Sequence, residues 1–215
     1  MAVPQTEPYP ARLDVDYPDR ELDRVSSFFR IIWIIPIAIV LAALSSTGSW
    51  TYVNQAGETV SESGGGIVGG LFLATLLMIV VRQKYPRWWF DFAVELERFS
   101  TRVGAYFAFM NDEYPSTTDQ QSVHLDFDYP DVEQDLNRWM PLVKWLLLIP
   151  HYIVLAFLFI GALFAWIITW FAILFTGKYP RAIFDYLVGV GRWATRVYAY
   201  GFMLITDRYP PFSLQ

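Results

Sequence analysis

The chain has 215 residues, of which 54% are hydrophobic and 18% aromatic against 17% charged, a balance well away from the soluble average. A formal charge of −5 argues against a nucleic-acid partner, because that binding rests on cations that neutralise phosphates. With no cysteine in the sequence, disulfides, thiol nucleophiles and thiolate metal sites are excluded.

The sixteen Lys and Arg are unevenly placed: none falls within residues 31–81 or 145–177. A soluble chain scatters its cations over every exposed face, whereas a bilayer core excludes them, so an integral membrane protein is predicted. Residues 1–24 carry six acidic groups and no apolar run, so no cleavable signal peptide is expected and the first spanning helix would direct insertion.

In chain order, the first predicted element is a short strand, with Leu13, Val15 and Tyr17 on one side and Asp14 and Asp16 on the other, ended by Tyr17-Pro18. Residues 25–44 form the first predicted span, with Arg30 near enough to its end to snorkel. Residues 45–66 are rich in Ser, Thr and Gly and read as a flexible loop. Residues 64–81 form a second, shorter span. Residues 88–110 then form an aromatic helix on which Asp91, Glu95, Arg98 and Arg102 make one polar stripe.

The same order follows again. A second strand repeats the Leu-Asp-x-Asp-Tyr-Pro-Asp pattern of residues 13–19 at 125–131. Residues 139–178 contain only Lys144 and His151 as internal ionisable groups, and one straight helix of that length would reach about 60 Å, twice a bilayer core. A tight hairpin turning near Gly161 is therefore predicted, with a re-entrant pair as the alternative. The last helix carries a second stripe of Asp185, Arg192 and Arg196.

Further matches join the two halves: Ile35-Pro36 with Ile149-Pro150, Lys84-Tyr85-Pro86-Arg87 with Lys178-Tyr179-Pro180-Arg181, and Arg98–Val103 with Arg192–Val197. The expected fold is therefore mainly α and integral to the membrane. It consists of two tandem repeats, residues 9–115 and 123–210, each a short strand, a transmembrane helical hairpin and an amphipathic interfacial helix. With two spans per unit, Arg20, Arg24, Arg82, Lys84, Arg87, Arg138, Lys144, Lys178 and Arg181 all fall on one side, as the positive-inside rule expects. Four spans, cytoplasmic termini and striped helices along the inner surface follow from that count.

Candidate chemistry is sparse. Asp14/Asp16 and Asp126/Asp128 present paired carboxylates on a strand face, which could share a divalent ion or simply be solvated. Seven Tyr-Pro pairs, at 9, 17, 85, 114, 129, 179 and 209, suit the ends of membrane elements, with ligand stacking as the alternative. Pro36 and Pro150 sit inside predicted spans and should kink them and free a backbone carbonyl. His151 reads as a hydrogen-bonded packing residue or as a proton or metal site. The best functional candidates are Asp91, Arg98, Arg102, Asp185, Arg192 and Arg196. Two arginines one turn apart can bind a lipid phosphate, pair with the stripe aspartates or clamp the strand carboxylates. No phosphate-cradling loop, nucleophile elbow or His-Glu-x-x-His helix occurs, so no enzyme, metal or cofactor is expected.

The repeated Leu-Asp-x-Asp-Tyr-Pro-Asp, the Leu147-Leu148-Ile149-Pro150-His151-Tyr152-Ile153 run and the Arg-x-x-Thr-Arg-Val-x-x-Tyr helix resemble an uncharacterised bacterial membrane-protein family, a domain of unknown function (four-three-eight-nine). The resemblance covers nearly the whole chain and is best over 123–210; the first copy lacks the His-Tyr after Ile35-Pro36 and carries the long polar loop. It implies a bacterial inner-membrane location and supplies no activity. The expected role is a non-enzymatic accessory or scaffolding subunit, or alternatively an oligomeric channel or a small-solute or lipid transporter. Membrane lipids, further copies of the chain or other membrane subunits are the expected partners.

Overall fold

A computed structural model describes residues 8–45, 49–53, 58–63, 66–119 and 121–215. The elements in order are β1 (Ala11–Val15), α1 (Arg24–Trp33), α2 (Ile35–Ser45), β2 (Ser49–Val53), β3 (Thr59–Ser63) and α3 (Ile67–Leu77), which runs on through a π-helical turn (Met78–Arg82). Then come α4 (Arg87–Phe107), β4 (Val123–Phe127), α5 (Val132–Asp135), α6 (Met140–Leu147), α7 (Ile149–Thr176) and α8 (Arg181–Gly201).

The alternating strand pattern gives β1 and β4, which pair antiparallel with Leu13 opposite Leu125 and Ala11 opposite Phe127. Period two sends Ala11, Leu13, Val15, Val123, Leu125 and Phe127 to one face, and all six are buried. That face packs on α8 and α4, joining Phe90, Val94, Phe184 and Val188 in the main core. The charged residues occupy the opposite, open face.

The residues expected to form a flexible loop contain a second antiparallel pair, Ser49–Val53 with Thr59–Ser63. Of the stretch 45–66, residues 46–48, 54–57 and 64–65 lie outside the described residues, as do residues 1–7 of the acidic N-terminal segment.

The hairpin predicted at Gly161 does not form. α7 is one continuous helix of 28 residues, about 42 Å long. Its glycine serves a close approach instead: a Cβ at Gly161 would lie 2.5 Å from the Tyr186 hydroxyl of α8, which donates to the Leu158 carbonyl. The long apolar stretch is shortened at its other end, where α6 breaks away at Leu148 and buries Lys144. Gly177 closes α7 in the left-handed region, which favours glycine.

Pro36 and Pro150 stand where the helical stretches are interrupted, between α1 and α2 and between α6 and α7. Each is the second residue of its helix, α2 or α7, where the missing N–H has no intrahelical partner to lose. The breaks fall just before, at Ile34 and Leu148. The N–H groups of Ile34 and Leu148 donate one turn back, to the carbonyls of Arg30 (2.9 Å) and Lys144 (3.0 Å).

Two helical stretches, Arg24–Ser45 and Ile149–Thr176, are long and apolar enough to cross a membrane, and Ile67–Arg82 is a shorter apolar one. Their apolar side chains are mostly left uncovered. Only 11% and 17% of their most apolar windows are buried, and Phe28, Ile32, Trp33, Phe157, Phe164 and Phe175 are among the exposed side chains.

Candidate functional site

The striped helices hold the strands, and each holds the strand of the other half of the chain. From α4, Arg98 donates through Nε to the Leu125 carbonyl (2.8 Å) and through Nη2 to Asp126 (2.8 Å), with Glu95 on Nη1 at 2.6 Å. From α8, Arg192 donates to the Leu13 carbonyl (2.9 Å) and to Asp14 (2.7 Å). A planar guanidinium suits this dual contact, since its fork meets a backbone and a carboxylate acceptor together. The second arginine of each stripe ties down the chain after its helix: Arg102 donates to Ser116 O at 2.8 Å, and Arg196 to Ser213 O.

Asp91 and Asp185 stand apart from those arginines. They pair one turn back with Arg87 (3.0 Å) and Arg181 (3.1 Å). Those two cations also sit over the rings of Tyr129 and Tyr17, whose hydroxyls donate to the carbonyls of Tyr85 and Tyr179. Two of the Tyr-Pro pairs therefore fasten one half to the other through their hydroxyls.

The strand carboxylates are all partnered. Asp14 and Asp126 take the two arginines, Asp16 lies 3.0 Å from His124, and Asp128 accepts Arg12. The Arg12 hydrogen bond holds the Asp128 carboxyl below its usual range. Among the described residues no cluster of His, Asp and Glu is arranged to hold a metal ion.

The sequence reading missed two buried ion pairs. Arg30 does not snorkel: fully buried, it donates to Tyr106 O (3.0 Å), Asn111 O (2.5 Å) and Asp112 (2.5 Å). Lys144, 1% exposed, donates to Thr206 O (2.8 Å) and pairs with Asp207 at 2.8 Å. Each aspartate also accepts the backbone N–H of the segment that leads to its cation, Asp23 for Asp112 and Asn137 for Asp207. The signal was available, since both predicted first spans carry a cation at the same place and both striped helices are followed by an aspartate.

His151 is packed among aromatic side chains in this geometry. It is fully buried, accepts from Trp193 Nε1 at 2.8 Å and stacks on Phe212 at 4.0 Å.

Between α4, α7 and α8, above β1, lies a cavity of about 740 Å³. Most of its wall is apolar or small, including Gly104, Ala156 and Gly191. Among the described residues Glu97 is the one charged residue that lines it, and the Tyr198 hydroxyl faces the carboxyl from α8. Burial pushes Glu97 up to about 7, against the opposing effect of the Tyr198 hydrogen bond.

Residues 138–213 match the model of a family described as Domain of unknown function (DUF4389). The match takes in α6, α7, α8 and most of the tail, so it is narrower than the near-whole-chain resemblance read from the motifs. No curated protein and no solved structure matches the chain. What the comparisons give is similarity of the C-terminal part of this chain to that family of unknown function.

Proposed function

We propose that the chain is a non-enzymatic accessory or scaffolding subunit of a bacterial cytoplasmic-membrane assembly, built by duplication of one unit. The observation that carries this reading is the amount of apolar surface that α1 to α3, α6 and α7 leave uncovered. More than twenty large aliphatic and aromatic side chains on these helices are exposed, far beyond what a soluble monomer tolerates. Lipid covers part of such a surface, and its breadth suits docking of other membrane helices.

Duplication accounts for the matched contacts. Arg98 and Arg192, Tyr17 and Tyr129, Arg30 and Lys144 each do in one half what the partner does in the other. The two units are then repeats related by an approximate two-fold through the Leu13–Leu125 pair, with their strands exchanged. In this arrangement the interrupted helix of the first unit, α2 and α3, corresponds to the two ends of α7.

The continuous α7 changes the expected topology. Basic residues stand at both of its ends, Arg138 and Lys144 before it and Lys178 and Arg181 after it. The positive-inside rule then favours both ends on the cytoplasmic face, with α7 lying in the membrane along its exposed apolar side. Both chain termini stay cytoplasmic in this reading.

The experiment is a native mass spectrum after gentle extraction from the protein's own membranes. A defined complex with another membrane protein is expected. A stable lone monomer, with no partner recovered, would overturn the accessory role.

A further inference from the structure

The cavity between α4, α7 and α8 has a size, a lining and a charge that together specify a ligand. We propose that it binds a single-chain amphiphile whose head is cationic, an amine or ammonium, seated against Glu97 with its tail along α7.

The volume of about 740 Å³ falls in the range of small-molecule sites, roughly 300–1,000 Å³. The space is built by the sequence. Gly104 on α4 leaves open the room of a side chain, since a Cβ there would meet no atom within 4 Å, while Gly191 on α8 lets Leu13 approach to where a Cβ would meet it at 3.1 Å. Tyr152 and Phe159 on α7, with Leu13 on β1, supply apolar wall for a tail.

Charge selects the head. Among the described residues Glu97 is the sole charged group in the lining, and none of the described Lys or Arg lines the cavity. In a low-dielectric wall an unneutralised carboxylate is costly, so an entering cation restores what burial removed, while a carboxylate or phosphate head is repelled. The Tyr198 hydroxyl hydrogen-bonds the carboxyl from the opposite wall and so orients it. A neutral alkyl alcohol satisfies the hydrogen bond without the charge and should bind between the two extremes.

The inference does not depend on the accessory role, because a ligand in this cavity is compatible with any partner on the outer helices. It is tested on the full chain in phosphatidylcholine nanodiscs, with radiolabelled dodecylamine, dodecanol and dodecanoate as probes. Dodecylamine should bind saturably and at least tenfold more tightly than dodecanoate, with dodecanol between them. Glu97→Gln should collapse the difference between amine and acid while dodecanol still binds. Gly104→Leu, which fills the cavity from an open helical position, should abolish saturable binding of all three. Equal binding of amine and acid, or uptake no different from empty nanodiscs, would overturn the proposal. So would binding untouched by Gly104→Leu.

Discussion

Arg192 donates to the carbonyl of Leu13 across 2.9 Å, and the two residues stand 179 positions apart. The first strand of the protein is thus held by its last helix. Because Arg98 holds β4 in the same way, neither half completes its own sheet-to-helix contact. Removing Arg192 should therefore cost more than a surface ion pair would. Arg192→Ala is expected to destabilise by about 1–2 kcal/mol, since a half-buried charged donor leaves a backbone acceptor unpaired. Asp14→Ala should cost under about 1 kcal/mol, because that carboxylate is exposed. Thermal unfolding of the two variants in detergent compares them directly, and equal losses would mean that the strand contact contributes nothing beyond the ion pair.

The pairing of β1 with β4 can be locked chemically. Arg12 and Asp126 are directly opposite in the antiparallel register, on the open face. Facing residues of this kind have Cα atoms about 4.5–5.5 Å apart, within disulfide reach. The chain has no cysteine of its own, so an Arg12→Cys/Asp126→Cys variant should form one intramolecular disulfide on mild oxidation. Arg12→Cys/His124→Cys, which is out of register by two residues, should form far less. Mass spectrometry of the oxidised proteins gives the answer, and equal yields would argue against this register.

The strands and the striped helices were legible because their signal is local. Alternation places Asp14 and Asp16 on one face, and a 3.6-residue period places Arg98 and Arg102 on one stripe, whatever the rest of the chain does. Which acceptor a stripe arginine meets depends on how distant segments pack. The motifs could therefore nominate Arg98 but left a lipid phosphate, the stripe aspartates and the strand carboxylates all open as its partner. Gly161 misled for a related reason. A glycine in an apolar run is read as a turn when no partner is in view, whereas here Tyr186 from the next helix occupies the space a side chain would fill. Glu97 went unnoticed because it lies off the polar stripe, and a cavity is visible only once three helices are assembled.

The buried pairs should show a sharp asymmetry. Asp207→Ala leaves Lys144 charged and without its carboxylate at a site only 1% exposed, and a loss of about 3–5 kcal/mol is expected. Lys144→Met removes the charge itself, while Asp207 keeps the Asn137 N–H and some solvent contact. That variant should be much milder, and adding it to Asp207→Ala should recover most of the loss. A double-mutant cycle on thermal stability tests this, and additive losses would show that the pair is not coupled.

Glu97 should make stability fall with rising pH over a defined window. Its folded-state value is raised from 4.5 to about 7, so the folded protein holds the proton more tightly than the unfolded chain does. The favourable contribution is complete below about pH 4.5, is lost as pH rises through 7, and changes no further above that. Tyr198, the hydroxyl facing it, is pushed up by burial and by the Glu97 charge, and so stays protonated throughout this window. Glu97→Gln should remove the decline and be more stable than the parent at pH 8 by on the order of 1–3 kcal/mol, with the two converging near pH 4. Thermal midpoints of both proteins across pH 4–8 give the comparison, and parallel curves would mean that the carboxyl titrates as an exposed one.

The position of α7 relative to a bilayer tests the proposed topology, and the natural absence of cysteine makes the measurement clean. Arg138 and Lys178 are exposed and flank α6–α7 on either end. If α7 lies along the cytoplasmic face, single Arg138→Cys and Lys178→Cys variants should both react with a membrane-impermeant maleimide in inverted vesicles. Both should be protected in right-side-out vesicles. A perpendicular crossing would label the two positions from opposite sides, and it would place one cluster of Lys and Arg outside against the positive-inside bias. Its length of about 42 Å allows a strongly tilted crossing of a core about 30 Å thick, so length alone does not choose between the two orientations. The cations at both ends do favour one of them. Labelling of both positions from the cytoplasmic side would place the charged sheet face in the cytoplasm as well, because Lys178 and Gly177 adjoin Leu22, which leads back to β1.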